Sequence, residues 1–190
     1  MPSCTTASLR KHKLEPIYRE IKKEEINLTL FEHFDRFQQV TKCRRKTDGI
    51  WTVHDIEFTD DWSSEDISLL VAQLKANAEN NGFIYGAFVY GQLKGFVSVT
   101  PEFFGTVCRY LDLSHIFVSR ELRRNGIGRI LFEKAKEWAR DRGAERLYIS
   151  AHSAVESQSF YSAMGCKEAQ EYNAELVQKE PCDCQLECML

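Results

Sequence analysis

The stretch HIFVSRELRRNGIGRILFEKA, residues 115–135, holds the residue types best spaced for chemistry. An apolar run that reads as a strand enters a tight turn, Arg123-Arg124-Asn125-Gly126-Ile127-Gly128, and the turn opens a helix. The first N–H groups of a helix have no partner within it, and the helix dipole makes that end positive. Glycines let an anion approach the backbone with no Cβ in the way. Arg123, Arg124 and Arg129 add formal charge, so the natural ligand is a phosphate or pyrophosphate. Read alone, the glycines would also serve a sharp strand-to-helix turn. A P-loop is excluded because Arg129-Ile130 follows Gly128 where Lys and Ser/Thr are needed. A dinucleotide fingerprint would need a small residue where Leu131 stands.

The pattern Val118-x4-Arg123-x2-Gly126-x-Gly128 resembles the acyl-CoA pyrophosphate signature of the GNAT superfamily of N-acetyltransferases, (R/Q)-x-x-G-x-(G/A) after the fourth strand. A second stretch, Ser157-Gln158-Ser159-Phe160-Tyr161-x3-Gly165-Cys166, is similar to the family's A-x-x-(F/Y)-Y-x3-G-F. The two motifs and the elements between them span residues 83–171. Ser157 stands where Ala is usual, and Ala154 where many members have an Asn that touches the CoA arm.

The resemblance implies transfer of the acetyl group of acetyl-CoA to a primary amine by direct attack in a ternary complex, with no metal. It implies that strand 112–118 splays from a parallel neighbour and that backbone groups of Ile116, Phe117 and Val118 hold the acetyl and pantetheine part. One N–H there would polarise the carbonyl. Arg123 and the N–H groups of Arg124, Asn125, Gly126, Ile127, Gly128 and Arg129 would hold the pyrophosphate, with Ser157 beside the cofactor.

Such chemistry needs an uncharged amine and a proton for the departing thiolate. Tyr161 is the candidate acid, since a phenol near pKa 10 lies close to a thiol's roughly 8.5. Read alone, Phe160-Tyr161 is equally an aromatic pair packing a helix on a sheet. Asp112 is the candidate base: six residues before Val118, it stands where some histone-acetylating members carry a glutamate. It would share a strand face with Ser114 and Ile116. His115, on the other face, reads as a packed core residue, and Glu102 is a third candidate base. The stretch 54–66 holds six acids (Asp55, Glu57, Asp60, Asp61, Glu65, Asp66) and no Lys or Arg, an acidic rim suited to a cationic acceptor.

The elements that must position these groups follow from periodicity. Ile17 opens a short strand, Leu28–Phe37 reads as a helix, and 41–62 has no clean period beyond a turn signal at Asp48-Gly49. Ser63-Ser64 caps a helix that ends at Asn80-Asn81-Gly82. A hairpin over 83–100 turns at Gly91-Gln92, and 108–118 reads as one long strand. A strong helix runs from about Gly126 to Arg142, then come strand 147–150, helix 155–164, strand 166–171 and a last edge strand 184–190. The expected fold is α/β: residues 1–16 a loose extension, and 17–190 one domain with a mixed sheet of about six or seven strands, flanking helices and a splayed central strand pair.

Composition fits one such domain. Of 190 residues, 43% are hydrophobic, which excludes a disordered chain. The net charge of -3 asks for neither nucleic acid nor an anionic membrane. No apolar run is long enough to span a bilayer or to serve as a signal-peptide core, so a cytoplasmic monomer or homodimer is expected. The seven cysteines are odd in number and are expected to stay reduced thiols. The tail CDCQLEC lacks the further Cys/His pair of a structural zinc site. Beside a small-molecule acetyltransferase stand two other readings: acetylation of a protein N-terminus or lysine, and a CoA-binding module without turnover.

Overall fold

Two long apolar alternations, β4 (Phe83–Val89) and β5 (Gln92–Val99), form the hairpin around which the chain is built, in a computed structural model that describes residues 15–190. The expectation for residues 1–14 lies outside it. Tyr90 and Gly91 both take positive φ, 52° and 77°, the turn that matches the twist of its flanking strands. β1 (Ile17–Glu20) pairs with the outer side of β4, and β7 (His115–Val118) with β5, giving an antiparallel sheet in the order β1-β4-β5-β7. A second sheet runs β6-β8-β10-β9, from β6 (Tyr110–Asp112), β8 (Arg146–Ala151), β10 (Cys184–Met189) and β9 (Lys167–Glu168), with β6 and β8 parallel.

The expected strand 108–118 is therefore two strands in two sheets. The Leu113 N–H still bonds the Tyr148 carbonyl at 2.9 Å, after which the chain leaves β8 and pairs only with β5. Helix α2 (Ile127–Asp141) buries Leu131, Phe132, Ala135 and Ala139 against both sheets, and α3 (Val155–Ala163) adds Tyr161 to that core. Helix α1 (Ser64–Glu79) covers the other face of the first sheet with Leu70 and Leu74, next to Phe31, Phe88 and Phe96. Ser63 caps it, accepting from the Asp66 N–H while Asp66 returns a bond to the Ser63 N–H.

Four further expectations change. Residues 28–37 form only a short 3-10 turn, Leu28–Phe31, yet Phe31 and Phe34 still pack on Trp62 and Phe96. Residues 38–60 are a long ribbon, β2 (Gln38–Thr47) and β3 (Ile50–Asp60), turning at Asp48 and Gly49 with φ of 51° and 79°. Much of that ribbon is exposed, and a register shift between Val40 and Lys42 breaks the alternation, which is why no period was visible. The last strand, β10, is not an edge: it lies between β8 and β9. The strand expected over 166–171 shortens to β9, and a short helix α4 (Ala174–Lys179) follows it. Among the described residues, no helix is long and apolar enough to cross a membrane.

Candidate active site

Where β7 leaves β8 the sheet opens, and the backbone groups on that side of β7 lose their partners. The Ser119 N–H bonds the Lys94 carbonyl at 2.8 Å, which fixes the alternation along the ladder. His115 and Phe117 exchange bonds with β5, while Ile116 and Val118 turn their N–H and C=O groups into the gap. Of the three residues expected to hold the acetyl and pantetheine part, Phe117 is thus committed to the ladder. The Val118 carbonyl is also used, accepting from Arg123 Nε at 2.9 Å. The Ile116 and Val118 N–H groups remain, at the floor of a cleft of about 1310 Å³.

The glycine turn lies at one end of that cleft. Gly126 has φ +83°, and a Cβ there would meet open space, so the backbone is bare toward the cleft. No side chain caps α2; its first bond is Ile130 N–H to the Gly126 carbonyl at 3.2 Å. The N–H groups of Ile127, Gly128 and Arg129 therefore find no acceptor among the described residues. The Ile127 side chain is buried, so its backbone alone is available. Arg124 and Arg129 line the cleft with no hydrogen bond or ion pair among the described residues.

Two expected anion ligands are otherwise employed. Arg123 donates to three carbonyls, those of Val118, Phe37 and Arg36, at 2.9, 2.9 and 2.8 Å, and so ties β7 to the segment before β2. Asn125 folds back on the Leu122 and Arg123 carbonyls at 3.2 Å. Both build the turn. Helix α3 opens on the same cleft, again without a side-chain cap, and Ser157 in its first turn lines it. Ala154 is fully buried in a bridge to Cys43 of β2, where no polar arm could reach a cofactor.

Tyr161 and Asp112 line the same cleft. Burial is the main cause holding the Tyr161 phenol above its ordinary pKa, with Cys166, Asp183 and Asp112 adding to it, so it stays protonated at rest. Asp112 ends β6, and its carboxyl makes no hydrogen bond among the described residues. Burial pushes it up to about 7, partly opposed by Lys179 of α4. His115 packs beside Phe96 and Phe117 as expected, yet it also lines the cleft: its Nδ1 is 2.9 Å from the Ser98 hydroxyl, and burial lowers its pKa to about 4. Glu102 is exposed and does not line the cleft.

The acids of residues 54–66 do not form one rim. Asp55 pairs with Lys42 at 2.5 Å on the exposed ribbon, Asp61 accepts from the Trp62 N–H at 2.8 Å, and Asp66 is spent on the cap of α1. Asp60 faces the cleft but is bound by Arg36, whose guanidinium lies 4.8 Å from the Phe117 ring centre. Acids that sequence reasoning passed over take part instead. Glu180 and Asp183, from the turn between α4 and β10, line the cleft alongside His152 at the end of β8. They come from stretches without motif or period, so only tertiary placement reveals them. The cleft thus sets charges of both signs on largely apolar walls: Arg120, Arg123, Arg124 and Arg129 at the turn, and Asp60, Asp112, Glu180 and Asp183 among the other groups that line it.

Comparison with known proteins agrees with this fold. The model of the acetyltransferase (GNAT) family matches residues 47–166, more than half of the chain. Among solved structures, nourseothricin acetyltransferase superposes with a TM-score of 0.64 at 21% identity, covering 90% of this chain and 95% of that one. A candidate streptothricin acetyltransferase from Bacillus anthracis str. Ames, in complex with acetyl coenzyme A, gives 0.67 at 17% identity, covering 93% and 99%. The PaiA N-acetyltransferase of Thermoplasma acidophilum, in complex with coenzyme A, gives 0.57 at 16%, with the same coverage of each chain. At these identities the likeness is one of fold. No curated protein matches the sequence.

Proposed function

The chain belongs to the acetyltransferase (GNAT) family, and from that premise we propose that residues 17–190 form one catalytic domain, which transfers acetyl from acetyl-CoA directly to the primary amine of a small cationic molecule. One observation carries the reading: the Ile116 and Val118 N–H groups, the uncapped start of α2 and Tyr161 all open on a single cleft.

The three bare N–H groups of α2, with Arg124 and Arg129, fit a pyrophosphate at the turn. The thioester then reaches the gap beside β7. The Val118 N–H is placed to bond the thioester oxygen and to strengthen that bond as negative charge develops on it. The acceptor amine gives up a proton to Asp112, whose pKa of about 7 suits a base working near neutrality. Its nitrogen attacks the carbonyl carbon, the C–S bond breaks, Tyr161 protonates the departing thiolate, and the second proton lost by the nitrogen returns to the Tyr161 phenolate while Asp112 gives its proton to solvent. Net, the amide and free CoA form and one proton is released to solvent. A cationic acceptor is favoured by the carboxylates that line the cleft, Asp60, Asp66, Asp112, Glu156, Glu180 and Asp183. Two fold relatives are named for nourseothricin and streptothricin, so the architecture accommodates small-molecule acceptors.

The test is equilibrium binding of acetyl-CoA, followed by a panel of primary amines read by mass spectrometry for a gain of one acetyl group. Saturable binding and a single acetylated product are expected. Absence of acetyl-CoA binding would overturn the cofactor assignment; binding without product across the panel would overturn the enzyme reading.

A further inference from the structure

Behind the cleft wall runs a chain of buried polar groups that the acetyl-transfer steps leave unused. The Asn173 N–H donates to the Tyr148 hydroxyl oxygen at 2.9 Å, and the Tyr148 O–H donates to Gln185 Oε1 at 2.6 Å. Gln185 Nε2 donates to the Ser150 hydroxyl at 3.1 Å, and that hydroxyl donates to Asp183 Oδ2 at 3.3 Å. The direction is not arbitrary. A backbone N–H can only donate, so each later link is left to pass its own hydrogen onward, and the last one reaches a carboxylate. Tyr148 is fully buried and Gln185 only 3% exposed, so this is a network held inside β8 and β10 at a desolvation cost. Bonds aligned this way polarise one another and favour a charged acceptor at the end.

That end lies in the cleft, near enough to Tyr161 for Asp183, like Asp112, to act on its phenol. The charges facing Asp183 are Glu180 one turn earlier, which opposes its ionisation, and Arg45 of β2, which favours it. Burial raises its pKa to about 6, below that of Asp112, so near pH 7.5 it is mostly ionised.

We propose that Asp183 seats the ammonium group of the acceptor beside Tyr161, with its carboxylate aimed by the relay from Asn173 through Tyr148, Gln185 and Ser150. This assignment rests on the acetyl-transfer reading. It divides the work of two carboxyls. Asp183, which accepts a donated hydrogen bond, holds its charge and binds the cation. Asp112, which has no such donor among the described residues, takes the proton. The acceptor must then present its reacting nitrogen as a primary ammonium.

The experiment measures steady-state kinetics with acetyl-CoA and the best substrate among 1,4-diaminobutane, spermidine, glucosamine, tyramine and a lysine-containing peptide. Asp183→Asn keeps the shape and removes the charge. It should raise the amine KM at least tenfold, change kcat less than threefold and leave the acetyl-CoA KM within twofold, which also serves as the check on folding. Asp183→Glu should recover part of the loss. Ser150→Ala, which removes the last donor of the relay without touching charge, should raise the amine KM about threefold and leave kcat in place. An amine KM within twofold of wild type in Asp183→Asn, or a loss confined to kcat, would overturn the proposal. If the wild-type protein acetylates none of the amines, the acetyl-transfer reading fails first; if it does so and Asp183→Asn matches it, only the seat assigned to Asp183 fails.

Discussion

Tyr161 has a role that a single oxygen atom can test. Tyr161→Phe keeps the ring that packs edge-on to Phe132 and Phe160, so acetyl-CoA affinity should stay within twofold. Turnover should fall by about 10² or more, the usual loss for a missing general acid, in a rapid-quench assay where chemistry limits the rate. Asp112 bears on stability as well as rate. Its folded pKa of about 7 lies above the ordinary 3.8, so the contribution it makes is fully present below about pH 4 and is lost as pH rises toward 7. At pH 8 it is a buried charge without a donor. Asp112→Asn should then raise stability there by roughly 2–4 kcal/mol in urea unfolding, an effect that vanishes at pH 4, while kcat falls. In the wild type, kcat/KM should decline as pH drops through about 7. That Tyr161 and Asp112 line the cleft was legible in the sequence, Tyr161 from its motif and Asp112 from its distance before Val118, while their catalytic roles are proposals. Asp183, His152 and Lys179 were not legible, because they lie outside any repeated pattern and meet only through the fold.

Helices α1, α2 and α3 and the β4–β5 hairpin were readable because each buries one face and exposes the other, so apolar spacing records the geometry. The β2–β3 ribbon was not, since little of it is buried, and α4 has only 6 residues, too few to show a period. The break between β6 and β7 was hidden for a different reason: both halves are apolar, and nothing local records that they pair with different sheets. Arg123 shows the same limit within the motif itself, where spacing marked it for an anion and the fold uses it as a clamp. Arg123→Ala leaves three carbonyls without their donor and should cost about 2–4 kcal/mol in the urea midpoint at unchanged m-value. Arg124→Ala, which breaks no hydrogen bond or ion pair among the described residues, should leave stability within about 0.5 kcal/mol while weakening acetyl-CoA binding severalfold. If Arg123→Ala proves as stable as wild type, its clamp role is wrong.

Across the whole molecule, charges of both signs line one cleft although the net value is only -3, so each substrate should sense a local field that the total conceals. Raising salt from 20 to 300 mM shortens the Debye length to well under 10 Å. It should raise the KM of a di- or polycationic amine more steeply than that of a monocationic one, and equal slopes in initial-rate measurements would show that the carboxylates do not act together. The opening between β7 and β8 has a consequence of another kind. An unpaired strand edge ordinarily invites another chain, yet this one faces a cleft lined by α2, α3 and the second sheet. Acetyl-CoA would complete the sheet as a strand does. Amide deuterium exchange at Ile116 and Val118 should therefore slow on its addition, while the Phe117 amide, already bonded to β5, should not change. The protein would carry, in two exchangeable hydrogens, its own record of whether the cofactor is in place.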